Sequence, residues 1–155
     1  MSSVLKWWLM FCLSILLGYI GYHFGLLQEI YTKDVTKLSL FIFILYISSS
    51  IYIGKTTYSS VKGHDVSSRV DIGWFTSESM LALGMVGTVV GFILMLGGTF
   101  ENIDTGDAET LKAALADMAR GMSTALYTTL SGLVCSLLTK VQLVNLETGI
   151  NKQVQ

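Results

Sequence analysis

Charged residues are scarce in this chain, and proline is absent. Asp, Glu, Lys and Arg together make up 14% of the 155 residues, whereas a typical soluble domain has about 25%. The formal net charge is −1, and the sequence has no clustered basic face of the kind that binds nucleic acid, so we expect no nucleic-acid partner. Without proline, no apolar helix can carry a proline kink.

Residues for enzyme or metal chemistry are equally few. Cys12 and Cys135 are the only cysteines, and both lie inside apolar segments. Neither belongs to a CxxC or Cys/His cluster, so the sequence predicts no metal site and no disulfide framework. We find no nucleophile–base pair and no phosphate-binding loop, and we therefore expect neither an enzyme nor a bound cofactor.

Apolar residues, in contrast, are abundant and grouped. They make up 52% of the chain, and the mean hydropathy is +0.60. They collect into four blocks, at about residues 5–27, 38–54, 80–98 and 122–146, each close to the roughly 20 residues that a helix needs to span a bilayer. The predicted fold is all-α: an integral membrane helical bundle with four transmembrane helices, in which residues 1–155 form a single membrane domain.

The number of spans and the basic residues predict the topology. Four spans place both termini on the same side of the membrane. The segments on that side hold six of the ten basic residues, and the opposite segments hold four. By the positive-inside rule we expect the termini to be cytoplasmic. The first block is too long for a signal peptide and lacks a small-x-small cleavage site, so we expect it to be a retained anchor.

The segments between the blocks differ in character. Residues 28–36 are predicted to form a short turn, and residues 55–78 a polar connection. Asp107 can cap a helix because its side chain accepts from free backbone N–H groups. Four apolar residues then recur at helical spacing: Ala108, Leu111, Leu115 and Met118. We expect a short amphipathic helix at the outer membrane interface, leading into the last span.

Small and hydroxyl-bearing residues line one face of each of the last two blocks. The third block carries Gly84, Gly87, Thr88 and Gly91. The fourth carries Ala125, Thr128, Thr129, Gly132 and Ser136. Such residues are typical of helix packing in membranes, where small side chains let backbones approach. They would also suit a pore face on which Thr88 and Thr129 offer hydroxyls to an ion or to a carboxylate.

Neither of these two blocks contains a carboxylate. Ion carriers inside membranes are typically Asp, Glu or His. An ion pathway along these helices would therefore need a carboxylate from another subunit.

At these residues the chain resembles the MotA/TolQ/ExbB family. Residues 84–91 (GMVGTVVG) resemble its GLxGTVxG stretch, and residues 118–133 (MARGMSTALYTTLSGL) resemble its IAxALxxTAxGL stretch. Two motifs in this order, across a short outer loop, are more specific than either alone. Residues 55–78 are too few for the large inner domain of flagellar stators.

The resemblance implies an ion-driven motor subunit of the bacterial inner membrane. Such proteins form pentameric rings whose last two spans surround a dimeric partner, each partner chain having one span and a transmembrane Asp that carries H⁺ or Na⁺. Thr88 and Thr129 would line the route, with Thr128 and Ser136 as further candidates. The adjacent threonine pair resembles some sodium-driven members. The close-packing or pore-face residues would be Gly84, Gly87, Gly91, Ala125 and Gly132.

Two other functions fit the same sequence. A self-sufficient oligomeric pore, for example a holin-like one, would permeabilise membranes without a partner. A structural membrane helix bundle would tolerate the loss of the hydroxyls of Thr88 and Thr129.

Overall fold

The part of the chain that the structure describes folds into five helices. The computed structural model describes residues 3–34, 37–62, 67–100 and 108–154, and no strand occurs within these ranges. The helices are α1 Ser3–His23, α2 Leu26–Lys33, α3 Leu38–Val61, α4 Ser67–Phe100 and α5 Ala108–Val154. Four of them, α1, α3, α4 and α5, are long and apolar enough to cross a membrane. The predicted all-α fold with four spans is therefore confirmed.

Helices α4 and α5 are longer than a bilayer requires. They contain 34 and 47 residues, which at 1.5 Å per residue gives lengths of about 50 and 70 Å. The hydrocarbon core of a bilayer is about 30 Å thick. Both helices therefore extend beyond the apolar blocks from which they were predicted.

Residues 28–36 were predicted to form a turn, but most of helix α2 lies within them. Helix α1 ends at His23, and Gly25 has φ of 73°, a left-handed conformation that glycine adopts at little cost. The Gly25 amide donates to the Tyr22 carbonyl at 3.0 Å. The chain then forms α2, so the connection between the first two spans contains this additional helix.

Helices also form most of residues 55–78, the polar connection between the second and third blocks. Helix α3 continues to Val61, and α4 begins at Ser67. The hydroxyls of Thr56 and Thr57 donate to the carbonyls of Tyr52 and Ile53, at 2.9 and 2.8 Å. Because these bonds satisfy the hydroxyls within the helix, a polar sequence remains helical here.

On the opposite side of the bundle, α5 begins at Ala108 and continues without interruption to Val154. The predicted amphipathic helix is thus not a separate element, since its residues form the first turns of α5. Asp107, predicted as its cap, lies outside the described residues. Leu111 and Leu115 are exposed within a single copy of the chain.

Both termini lie at the same end of the bundle. One buried cluster there consists of Ile53 of α3, Val70 of α4, and Leu143 and Leu146 of α5. Trp7, near the start of α1, packs against it. The first turns of α1 and the last turns of α5 therefore meet, as an even number of spans requires.

A polar bridge joins α3 to α5 in the interior. The Ser50 hydroxyl donates to Oε1 of Gln142 at 3.0 Å, and Nε2 of Gln142 donates to the Tyr46 hydroxyl at 3.4 Å. Polar groups within a bilayer must find protein partners because no water is available to them. The bridge therefore connects the second half of α5 to α3.

We predict that Gly54→Val destabilises the protein. A Cβ at Gly54 would overlap the Trp7 ring, so the added atoms would push Trp7 out of the terminal cluster. Overpacking of this kind costs about 1–3 kcal/mol. The control is Gly18→Val, since no atom lies within 4 Å of a Cβ at Gly18. Thermal unfolding in detergent, followed by circular dichroism, should give a lower midpoint for Gly54→Val alone; equal midpoints for the two variants would contradict the packing.

Candidate functional site

The candidate site is the seam between α4 and α5, where the two helices approach most closely. At its centre, a Cβ on Gly132 would lie 2.8 Å from the Met80 carbonyl oxygen and 2.9 Å from Cα of Gly84. These neighbours are backbone atoms, which cannot move aside as a flexible side chain can. The two backbones are therefore in direct contact, and only glycine fits at Gly132.

The small residues continue this contact away from the end that holds the termini. A Cβ on Gly87 would lie 2.6 Å from Oγ1 of Thr128, and one on Gly91 would lie 2.9 Å from Cβ of Ala125. The two small-residue faces found in the sequence thus meet each other within one copy of the chain. Their spacing has a packing explanation inside the protomer.

Thr88 and Thr129 come together at one edge of the seam. Their hydroxyls are in hydrogen-bond contact, although the residues are 41 positions apart in the chain. Thr88 also donates to the Gly84 carbonyl at 3.1 Å, and Thr129 to the carbonyls of Ala125 and Gly84 at 3.1 and 3.3 Å. Both side chains are partly exposed. The structure therefore pairs the two residues that the sequence singled out first.

Thr128 and Ser136, the further candidates, occupy different surroundings. Thr128 is fully buried against Gly87, and its hydroxyl donates to the Ala125 carbonyl at 3.0 Å. Ser136 is 3% exposed and lines an open cavity of about 260 Å³. Of the four candidate residues, Thr128 is thus enclosed in the seam, whereas Ser136 borders a space outside it.

The two edges of the seam have different neighbours, because only one of them packs against α3. On the α3 side, Cys135 packs with Ile42, and Gln142 bonds to Ser50. At 100° per residue, Thr129 and Ser136 lie on the other side of the α5 contact line, away from α3. We call that side the open edge; its residues are Leu81, Thr88, Thr129, Ser136 and Lys140.

Two interactions of α5 were not found from the sequence. One is the Gln142 bridge to α3. The other joins α4 to α5, because Nε1 of Trp74 donates to Oε1 of Glu147 at 2.6 Å. A glutamine inside an apolar block was the available signal for the first, but its partners lie 92 and 96 positions away. Among the described residues, no group of three or more His, Cys, Asp or Glu side chains could hold a metal ion.

The match to a known protein family includes the residues of this seam. Residues 75–155 match the model of the MotA/TolQ/ExbB proton channel family. The chain belongs to this family. Both motifs, at residues 84–91 and 118–133, lie inside the matched segment. No curated protein and no solved structure matches the chain.

Membership of the MotA/TolQ/ExbB family has direct consequences. Its members are channel-type transport proteins rather than enzymes, and they act as proton channels in energy-transducing membrane complexes. Together with the four apolar helices, this makes the chain a multi-pass membrane protein. The matched segment contains the α4–α5 seam. The seam is therefore the candidate site of that function.

We predict that Gly132→Ala weakens the seam. The added methyl would meet backbone atoms of Met80 and Gly84 below 3.0 Å, so the helices must separate, at a cost of about 1–3 kcal/mol. Gly97→Ala is the control, because a Cβ at Gly97 meets no atom within 4 Å. Denaturant unfolding in detergent should show the loss for Gly132→Ala only. A neutral Gly132→Ala would contradict the close approach.

Proposed function

We propose that this chain is the ion-conducting subunit of a membrane motor. Five copies form a ring around a dimeric partner whose chains each have one span and an Asp within it. The complex converts proton or sodium motive force into mechanical work, in the bacterial inner membrane and with its termini in the cytoplasm. The observation that carries this proposal is the Thr88–Thr129 pair at the open edge of the seam.

The need for a partner follows from the missing acid. Residues 80–98 and 122–146 contain no Asp or Glu, so these parts of the two helices offer hydroxyls and carbonyls but no carboxylate that can carry a proton or balance a cation. A carboxylate is the usual carrier within a bilayer. It must come from a separate chain whose helix lies against the threonine pair at the open edge.

The threonine pair is suited to receive such a carboxylate. Each hydroxyl is held by a backbone carbonyl in the protomer, so neither group is left unpaired when the carboxylate is absent. A rotation of the side chain lets the hydroxyl donate to a carboxylate oxygen instead. Hydrogen bonds to a charged group are worth about 1.5–3 kcal/mol, enough to favour one position of the partner helix. Neutralisation of the carboxylate by an ion removes this preference and allows movement.

The exposed surfaces of α4 and α5 support assembly into a ring. Large apolar side chains on both helices are about half exposed in one copy of the chain: Val86, Val89, Ile93, Leu126, Leu130 and Leu133. Two helices with apolar side chains on several faces are covered by lipid, by neighbouring copies or by a partner. In the proposed ring, residues 1–155 act as one domain, α1 faces lipid, and the first turns of α5 lie at the outer interface.

We predict that Thr129→Val abolishes ion-coupled work. Loss of one hydrogen bond to the carboxylate should lower the flux by about tenfold or more, since each 1.4 kcal/mol is a factor of ten. Thr88→Val should act in the same way. Thr129→Ser keeps the hydroxyl and should retain most activity. The measurement is ion uptake by right-side-out membrane vesicles from cells that express the chain with its neighbouring gene products.

The control for this series is Thr148→Val, since Thr148 is exposed near the end of α5 and bonds only to the Val144 carbonyl. Silent substitutions at both Thr88 and Thr129 would favour a structural bundle. Flux through purified protein in liposomes without any other chain would favour a self-sufficient pore. Either result would overturn the proposal.

Uptake by the same vesicles shows whether the transported ion is H⁺ or Na⁺. The adjacent threonines, which resemble those of some sodium-driven members, differ in position. Thr128 is enclosed in the seam, and only Thr129 reaches the open edge. We predict uptake that a protonophore abolishes if the cargo is H⁺, and uptake of ²²Na⁺ that resists the protonophore if it is Na⁺. Uptake of neither ion, with the partner present, would contradict an ion-conducting role.

A further inference from the structure

An apolar groove continues along the open edge, from the threonine pair towards the end that holds the termini. It is the cavity of about 260 Å³ lined by Leu81 of α4 and by Leu133, Val134, Ser136, Leu137 and Lys140 of α5. Its walls are aliphatic. The polar groups lie towards one end, where Lys140 follows Ser136 by about one helical turn.

Lys140 lies at the level where the apolar part of the bundle ends. The buried contact of Met80 with Thr139 places Lys140 near the same depth as Glu78. On each of these two helices, this is the first charged residue between the threonine pair and the end that holds the termini. The headgroups of one lipid leaflet are therefore expected at Lys140 and its acyl chains at the leucines.

The two polar groups of the groove have no partners within the described protein. Ser136 is 3% exposed, and no hydrogen bond joins its hydroxyl to any residue in the described ranges. Lys140 is partly buried and forms no ion pair there either; Glu78, on the facing helix, makes no salt bridge to it. A charged side chain at this depth is usually paired, so a counter-charge from outside the chain is expected.

We infer that this groove is a binding site for an anionic phospholipid of the leaflet at the terminal end of the bundle. The phosphate accepts hydrogen bonds from the Lys140 ammonium and the Ser136 hydroxyl, and one acyl chain lies against Leu81, Leu133 and Leu137. Basic pockets between membrane helices commonly bind anionic headgroups in this way. A partner carboxylate would satisfy Lys140 but would leave the aliphatic walls without a matching chain. The site does not depend on the proposed motor function.

The test is lipid retention measured by native mass spectrometry of the full chain, released from nanodiscs that contain equal amounts of phosphatidylglycerol and phosphatidylcholine. One basic residue near an anionic surface favours binding by about fivefold, so wild-type protein should retain phosphatidylglycerol over phosphatidylcholine by about that factor. Lys140→Gln should bring the ratio close to one, and Lys140→Arg should preserve it. Ser136→Ala should give an intermediate ratio.

Lys55→Gln is the control, because Lys55 is a lysine in the terminal half of the bundle that does not line the groove. An equal loss in Lys55→Gln and Lys140→Gln, an unchanged ratio in Lys140→Gln, or no preference in wild type would overturn the inference. If Lys140→Gln does not fold, wild-type protein can be crosslinked to a photoactivatable phosphatidylglycerol to locate the bound lipid. Crosslinks should then map to the peptide containing residues 133–140, and crosslinks confined to other peptides would contradict the site.

Discussion

The rest of the structure depends on the direct backbone contact between α4 and α5 at Gly84 and Gly132. Small side chains permit this contact, and van der Waals packing rather than water exclusion holds the helices together in lipid. The contact brings Thr88 and Thr129 to the same edge. It also leaves their hydroxyls within reach of the Gly84 carbonyl, which keeps them paired in the absence of any other group.

A second constraint is the absence of water inside a bilayer, which requires each polar group to have a protein partner. Towards the terminal end, the Gln142 bridge and the hydroxyls bonded back to their own helices meet this requirement, whereas Ser136 and Lys140 have no partner among the described residues. The carboxylate needed for ion transport is absent from residues 80–98 and 122–146. The arrangement is therefore consistent with a division of labour in which this chain supplies a stable polar edge and a second chain supplies the mobile carboxylate.

The sequence predicted the four spans because apolar runs are a property of composition, and it predicted the important faces of α4 and α5 because spacing fixes a helical face. It could not show that these faces meet within one protomer, nor that Thr129 reaches the edge while its neighbour Thr128 is enclosed. Those distinctions depend on how the two helices cross. The helical course of residues 55–61 and 67–78 was missed because Thr56, Thr57 and nearby serines are equally common in loops, and their backbone-directed hydrogen bonds appear only in the folded chain.

In the proposed ring, the Thr88–Thr129 pair at the open edge of the α4–α5 seam faces a central partner helix. A cryo-EM reconstruction of the protein, purified with its neighbouring gene products, tests this most directly. We expect five copies, with α4 and α5 inside and Thr88 and Thr129 directed at a helix on the axis whose carboxylate lies at their level. A dimer, or a ring in which those threonines face a neighbouring copy or lipid, would contradict the claim.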